Sequence, residues 1–321
     1  MLMACRVFIH CELLLLLSFF YEPVSARAQS PAFIWTTDWS KDGKYVALGG
    51  DDSTVWVYSS ENYSLYRSFK LNSMVRCVSW HPKEDLLAIA TLDGVSLLSM
   101  QTQEVKDIEG LSTGGRGIAW NRTGELLALA DGDGVLRILS RDGVLLRSIK
   151  KYNNNSYFSV DWHPTKDILI TGGDEILMFD TTGRQLAFIR HRNVTTGVLS
   201  VQWHPSGEFF AIGDYGHDKE GIPNLLQFWK ADGTLMKEMR GISQSEYRNV
   251  RWNHSGSLLA TASDALRIWD KDGRLISTGP RTEDLWGIAW SKDDSRIITS
   301  SFGNGSVKLW SNKAALIRDI N

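Results

Sequence analysis

The sequence predicts an all-β fold, a closed ring of seven four-stranded antiparallel blades, on three observations. A Trp ends a short alternating run at Trp39, Trp80, Trp120, Trp162, Trp203, Trp252 and Trp290, at spacings of 41, 40, 42, 41, 49 and 38 residues. Seven copies of about forty residues match the period of a four-stranded propeller blade. The clearest copy, residues 245–276, divides into four short strands at Asn249–Trp252, Leu258–Ala262, 266–269 and 274–277. In its first strand Val250 and Trp252 point to one face and Asn249 and Arg251 to the other, while Asn, Ser, Asp and Gly mark the turns. An aromatic content of 11% with 13 Trp suits a β-rich core. One blade cannot bury both its faces, whereas a ring stacks each sheet on the next.

Residues 1–28 stand apart. Arg6 and the amino terminus precede an apolar run over residues 13–20, and Ala26-Arg27-Ala28 ends the segment ahead of Gln29. That is the layout of a cleaved secretory signal. The run between Val7 and Tyr21 also holds His10 and Glu12 and is too short and polar for a membrane span. The expected organisation is therefore a signal peptide over 1–28 and one propeller domain over 29–321. The expected location is secreted or periplasmic, with a cytoplasmic protein carrying a non-functional leader as the alternative. Cys5 and Cys11 would leave with the signal, and Cys77 alone remains as a small apolar residue of a first strand. A mature chain from Gln29 keeps about 42 residues per blade, within the usual repeat range.

In the first blade, Asp38-Trp39-Ser40-Lys41-Asp42-Gly43 joins a strand to its turn, and Ser79-Trp80-His81-Pro82 does so in the second. Asn153-Asn154-Asn155 is a polar loop between blades three and four. In blade five, residues 215–223 lengthen the connection between second and third strands, and this insertion accounts for the 49-residue spacing. Such insertions sit on one face and often carry function. Blade six holds Trp269-Asp270. Blade seven pairs residues 297–301 with 307–310 and ends in an outer strand over 315–320. All seven blades are expected in chain order, with no shared closing blade. Trp35, Trp39, Trp286 and Trp290 are then expected to pack across the seam. Asn-x-Ser/Thr triplets occur at Asn62, Asn121, Asn154, Asn193, Asn253 and Asn304, acceptors for glycans in a eukaryotic secretory route.

Over residues 33 to 320 these units resemble the WD40 repeat family. The resemblance is carried by the strand-plus-turn motifs above, by Trp203-His204-Pro205-Ser206-Gly207 and by the paired strands of blades six and seven. The copies are degenerate. Trp-Asp occurs once, at Trp269-Asp270, and the family's Gly-His pair before each first strand is missing. The resemblance implies a rigid, non-catalytic scaffold whose loops present side chains to a protein or peptide partner.

The search for chemistry narrows the classes further. There is no HExxH or P-loop, and no motif calls for a cofactor. Residues 112–117 precede a strand rather than a helix and so lack a helix-end anion site. Asp131-Gly132-Asp133-Gly134 lacks the remaining ligands of a calcium loop and reads as a hairpin turn. His81, His163 and His204 each precede Pro in the same turn of different blades, too far apart to share a metal. His217, Asp218 and Glu220 in the long loop form one weak ligand set. A net charge of −2 leaves no footprint for nucleic acid or an anionic membrane.

The candidate binding residues lie four places before each blade Trp. They are Trp35, Arg76, Arg116, Phe158, Leu199, Arg248 and Trp286. Alternation puts each on the side of its Trp at the start of the innermost strand, which the resemblance places around the narrow opening of the ring. Three arginines and three aromatics would converge there, a set suited to a partner's acidic group. Tyr215 and His217 in the long loop would overhang the same face. Two alternatives stand beside this. The arginines could be tied up by Glu246, Asp284 or Asp38. The funnel could also serve an exported enzyme or a peptide or sugar binder, which would call for paired carboxylates or His plus carboxylate.

Overall fold

Short alternating segments separated by turn residues can bury a face only by pairing into sheets and stacking those sheets, and the chain does so seven times. A computed structural model describes residues 33–111, 115–131, 133–150, 157–192, 196–217 and 220–321. The signal over 1–28, Asn154 and Asn193 lie outside these residues, as do parts of the 112–117 and 217–220 segments. Blade one comprises β1 (Ile34–Trp39), β2 (Tyr45–Gly50), β3 (Thr54–Ser59) and β4 (Leu65–Lys70). Blade two comprises β5 (Val75–Trp80), β6 (Leu86–Thr91), β7 (Val95–Ser99) and β8 (Glu104–Asp107). Blade three holds β9 (Gly115–Trp120), β10 (Leu126–Asp131), β11 (Val135–Ser140) and β12 (Leu145–Lys150). Blade four holds β13 (Tyr157–Trp162), β14 (Ile168–Gly173), β15 (Ile176–Asp180) and β16 (Gln185–Ile189). Blade five is β17 (Val198–Trp203), β18 (Phe209–Asp214), β19 (Leu225–Lys230) and β20 (Leu235–Arg240). Blade six is β21 (Asn249–Trp252), β22 (Leu258–Ala262), β23 (Arg267–Asp270) and β24 (Leu275–Thr278), and blade seven is β25 (Leu285–Trp290), β26 (Arg296–Ser301), β27 (Val307–Ser311) and β28 (Leu316–Asp319).

Every sheet runs antiparallel in chain order, so the fold is a seven-bladed β-propeller. The first strands of successive blades pack against one another around the axis, and β1 packs on β25 to close the ring. Blade seven supplies its own outer strand, β28, as the repeats predict. In blade six the third and fourth strands lie one residue later than the alternation suggests. Asp270 Oδ1 accepts the N–H groups of Asp272 and Arg274 and thereby sets the turn.

Seven apolar clusters fill the spaces between sheets. Trp80 packs with Ala47, Val55 and Val57 of blade one, and Trp252 packs with Phe209, Leu226 and Phe228 of blade five. Each blade Trp thus faces the preceding blade. Trp39 lies with Ile298 and Leu309 of blade seven and does pack across the seam. Trp290 lies with Leu266 and Ile268 of blade six. The expectation that Trp290 seals the seam is therefore corrected: its strand turns that face backward, like every other.

Hydrogen bonds link the blades in the same direction. Trp80, Trp120, Trp162 and Trp290 donate their indole N–H to Asp38, Ser79, Ala119 and Arg251 carbonyls at 3.2, 3.1, 3.0 and 2.9 Å. The three His-Pro turns add another tier. His81, His163 and His204 meet the carbonyls of Gly124, Gly207 and Gly256 in the next blade at 3.1, 3.0 and 2.8 Å. Those glycines hold φ of 81°, 74° and 72°, and a Cβ on Gly124 would sit 1.9 Å from His81 Nε2. The histidines are ties between blades, and among the described residues no group of His, Cys, Asp and Glu could hold a metal ion. Asp131, Asp133 and Gly134 lie where β10 leads into β11, and Gly132 is outside the described residues. Asp131 Oδ1 accepts the Asp133 N–H at 2.7 Å, and Asp131 forms an ion pair with Arg137.

The missing Gly-His pairs do not remove every His–Asp link. His191, buried ahead of β17, lies 3.0 Å from Thr196 Oγ1 and 3.3 Å from Asp214 Oδ2. Thr196 donates to the same carboxylate at 3.2 Å, and Arg192 pairs with it. Asp214 Oδ1 takes the Leu225 N–H at 2.5 Å. This cluster fixes the base of the 215–223 loop.

Candidate functional site

The inner strands begin with one residue too many for their partners. β1 pairs Ile34 with Gly50 and Thr36 with Gly49, leaving Trp35 as a bulge. The same shift isolates Arg76, Arg116, Phe158, Leu199 and Trp286. In blade six Arg248 stands immediately before β21, its N–H bonded to Ala262 O at 3.0 Å. A one-residue insertion reverses the face that a side chain occupies. Simple alternation would leave these residues beside the blade Trp, between sheets. The bulge instead turns those six into the axial opening, where Arg248 joins them from the position before β21, so the expected residues converge for a different reason from the expected one.

All seven line one recess of about 130 Å³ at the start of the inner strands, together with Cys77, Ser159 and Arg251. The guanidiniums lie on rings. Arg76 sits 4.5 Å from the Trp35 ring centre, Arg116 5.0 Å from Phe158, and Arg248 3.9 Å from Trp286. Trp35 meets Trp286 edge-on across the seam at 4.6 Å. Trp286 stacks on Phe302 at 5.0 Å, and Phe302 on Phe33 at 4.4 Å. Tyr215 reaches the rim, with its ring 5.7 Å from the Arg248 guanidinium. His217 lies further along the loop, its backbone paired with Ile222, and it is not one of the recess-lining residues.

The charges are unevenly compensated. Arg248 forms an ion pair with Glu246. Arg76 and Arg116 have no carboxylate partner among the described residues. Asp38 is committed elsewhere, its Oδ2 accepting the Trp80 N–H at 2.7 Å. Burial, reinforced by Arg116 and Arg248, lowers the pKa of Arg76. Burial also lowers that of Arg248, against the pull of Glu246, Tyr215 and Asp284. Two donors of residues in the recess wall, Trp35 Nε1 and Arg248 Nε, are buried without an acceptor. Buried donors in folded proteins nearly always have one. Burial pushes the Cys77 thiol up and away from the thiolate form.

The axial channel opens at its other end into a second recess of about 280 Å³, lined in part by Asp38, Lys41, Arg122, Asp161, Arg251 and His254. Asp161 Oδ2 accepts the Trp203 N–H at 2.8 Å. Burial nevertheless raises its carboxyl to about 6, against that bond and Arg251. A carboxyl whose folded pKa exceeds its unfolded value binds protons preferentially in the native state, so stability falls as pH rises from about 4 to about 6. Asp161→Asn keeps the acceptor and removes the charge. Its thermal midpoint should exceed that of the natural chain at pH 7.5 and match it at pH 4. Equal midpoints at both pH values would contradict this assignment.

Among the described residues, no helix is long and apolar enough to cross a membrane. Comparison with known proteins agrees with the architecture. A model of the WD domain, G-beta repeat, matches residues 25–59, 183–220 and 273–311. One for the anaphase-promoting complex subunit 4 WD40 domain matches residues 78–165. The zebrafish (Danio rerio) intraflagellar transport protein 122 homolog is 24% identical over 56% of this chain and 15% of its own length. The mouse (Mus musculus) intraflagellar transport protein 80 homolog is 28% identical over 59% of this chain and 23% of its own. The WD repeat-containing protein slp1 of Schizosaccharomyces pombe is 24% identical over 77% of this chain and 52% of its own. The chain thus spans about half or less of the length of these relatives.

Proposed function

The chain belongs to the WD40 repeat family, as a degenerate seven-bladed propeller, and we propose that it is a non-catalytic scaffold that binds a protein or peptide partner at the recess where its inner strands begin. The observation that carries this reading is the convergence of one residue from every blade on a single opening, with two guanidiniums left uncompensated. Arginine and tryptophan contribute disproportionately to binding, and a ring-stacked guanidinium is held ready for a carboxylate or phosphate. Trp35, Arg76, Arg116, Phe158, Arg248 and Trp286 form the contact surface, Tyr215 closes its rim, and His217 extends it along the loop. In this recess, uncompensated cations with no paired acid and base among the described residues favour binding over acid–base catalysis.

The test is a replacement that removes the charge and spares the core. Arg76→Ala, Arg116→Ala and Arg248→Ala together should leave the thermal midpoint nearly unchanged and abolish retention of the natural partner. Should the triple variant unfold, with binding tracking stability, the arginines serve the fold and the contact surface lies elsewhere.

Export is part of the same proposal. It is supported by the apolar run over residues 13–20 followed by Ala26-Arg27-Ala28. Protein recovered from its own host should begin at Gln29 by mass spectrometry, and an intact Met1 in the cytoplasm would sink the idea. In a eukaryotic route Asn62 and Asn304 are exposed acceptors among the described residues, whereas Asn121 and Asn253 are buried in their turns.

A further inference from the structure

Building on the reading of the recess as a partner site, we propose that the group it takes is a phosphoryl dianion on a side chain of a partner peptide. The argument begins with a count of charge. Arg76, Arg116, Arg248 and Arg251 line the recess; Glu246 neutralises Arg248, and Arg251 acts on the buried Asp161 at the other end of the channel. Asp284 is exposed on the same side and acts on Arg248. Two guanidiniums from adjacent blades, Arg76 and Arg116, are left. A carboxylate would leave one of them uncompensated. A phosphorylated side chain carries about −1.5 to −2 at neutral pH and three acceptor oxygens. It balances both cations.

The unfilled donors point the same way. Trp35 Nε1 and Arg248 Nε belong to residues of the recess wall and lack acceptors. A phosphoryl group presents more acceptor sites than a carboxylate with which to meet them. Stacking on Trp35 and Phe158 fixes the planes of Arg76 and Arg116, so little side-chain freedom is lost when an anion arrives.

The surroundings favour a peptide over a lipid surface. The recess of about 130 Å³ admits one small anionic group. Glu246 and Asp284 flank it, and the chain as a whole carries a net charge of −2, so an extended anionic membrane would be repelled. Beside the recess, Phe302 is 37% exposed and stacks between Trp286 and Phe33. It offers an apolar shelf for the residue next to the phosphorylated one.

The test uses the full chain and an array of peptides carrying phosphoserine, phosphothreonine or phosphotyrosine, each beside its unphosphorylated and Glu-substituted copies. Phosphorylated peptides should be retained at least tenfold more tightly than either copy. Phenyl phosphate should displace them from the unaltered protein, and benzoate at the same concentration should not. Arg76→Met with Arg116→Met should remove the preference at an unchanged thermal midpoint. Inorganic phosphate should compete more weakly than phenyl phosphate, because it lacks a group for the Phe302 shelf. Equal retention of phosphorylated and Glu-substituted peptides, lost in the double variant, would overturn the dianion and leave the recess as the partner site. Retention unaffected by the double variant would overturn both. Binding to phosphoinositide-containing vesicles with no peptide retained would overturn the proposal in favour of a membrane.

Discussion

Trp80→Ala should cost about 3–5 kcal/mol, the usual range for deleting a buried aromatic, and lower the thermal midpoint by roughly 6–20 °C. Trp80 is 2% exposed and belongs to a cluster whose other members come from both blade one and blade two. Its ring stacks 6.1 Å from Tyr45. Its indole N–H binds Asp38 O at 3.2 Å, while its backbone N–H binds Asp38 Oδ2 at 2.7 Å. Truncation empties a cavity between two sheets and leaves the Asp38 carbonyl without its donor. Total stability of about 5–15 kcal/mol makes such a loss a large fraction of the whole. Trp80→Phe separates the two contributions, since it keeps most of the buried area and loses only the indole bond. It should cost markedly less, about 1–2 kcal/mol. Urea titration followed by circular dichroism measures both. Equal losses in the two variants would mean that the hydrogen bond, not the packing, carries the residue's contribution.

The blade Trp made the ring legible because it recurs in sequence and does the same work each time, binding one sheet to the sheet before it. Alternation then located the strands to within a residue, as at Arg267 against the expected Leu266. It could not show the bulges. A bulge is a mismatch between two strands, so no single strand carries its signature, although a Gly-Gly or Ala-Thr pair recurs opposite it, at Gly49-Gly50, Gly172-Gly173 and Ala90-Thr91. Those small residues leave room for the neighbouring blade. A Cβ on Gly49 would lie 2.2 Å from Val75 Cγ1, and one on Gly172 would lie 2.9 Å from Val198 O. The direction of Trp290 was not legible in a single strand, because it depends on every blade leaning on its predecessor. The His191–Asp214 link was hidden for another reason. Arg190 replaces the usual Gly before the His, and the long loop separates Asp214 from the strand that it precedes. A buried His shortly before an inner strand, with an Asp at the end of the next, was the available signal.

Gly287→Ala should open the ring at the junction of blades seven and one, where no strand is shared among the described residues. A Cβ on Gly287 would lie 2.8 Å from Thr37 N and 2.9 Å from Thr37 Cγ2, across the junction of blades seven and one, and 2.3 Å from Ser300 Oγ. The Gly287 N–H also donates to Ser300 Oγ at 3.1 Å, so the crowded hydroxyl cannot withdraw without losing a partner. Overpacking of this kind costs about 1–3 kcal/mol. Gly117→Ala is the matched control. Its Cβ would lie 2.8 Å from Ser159 Cα and 3.0 Å from Val160 N, between blades three and four. Those blades are consecutive in the chain, so strain there leaves the ring tethered on both sides of the contact. At the seam nothing covalent spans blades seven and one, and relief can come from separation. Both variants should therefore lose similar global stability, but only Gly287→Ala should speed amide exchange across β1, β2, β25 and β26 relative to the other blades. The separation would also part Trp35 from Trp286, so the same variant should weaken partner binding while Arg76 and Arg116 remain in place. If exchange rises uniformly in Gly287→Ala, the seam is as cooperative as any other interface, and the aromatic stack of Phe33, Phe302 and Trp286 is sufficient to replace a shared strand.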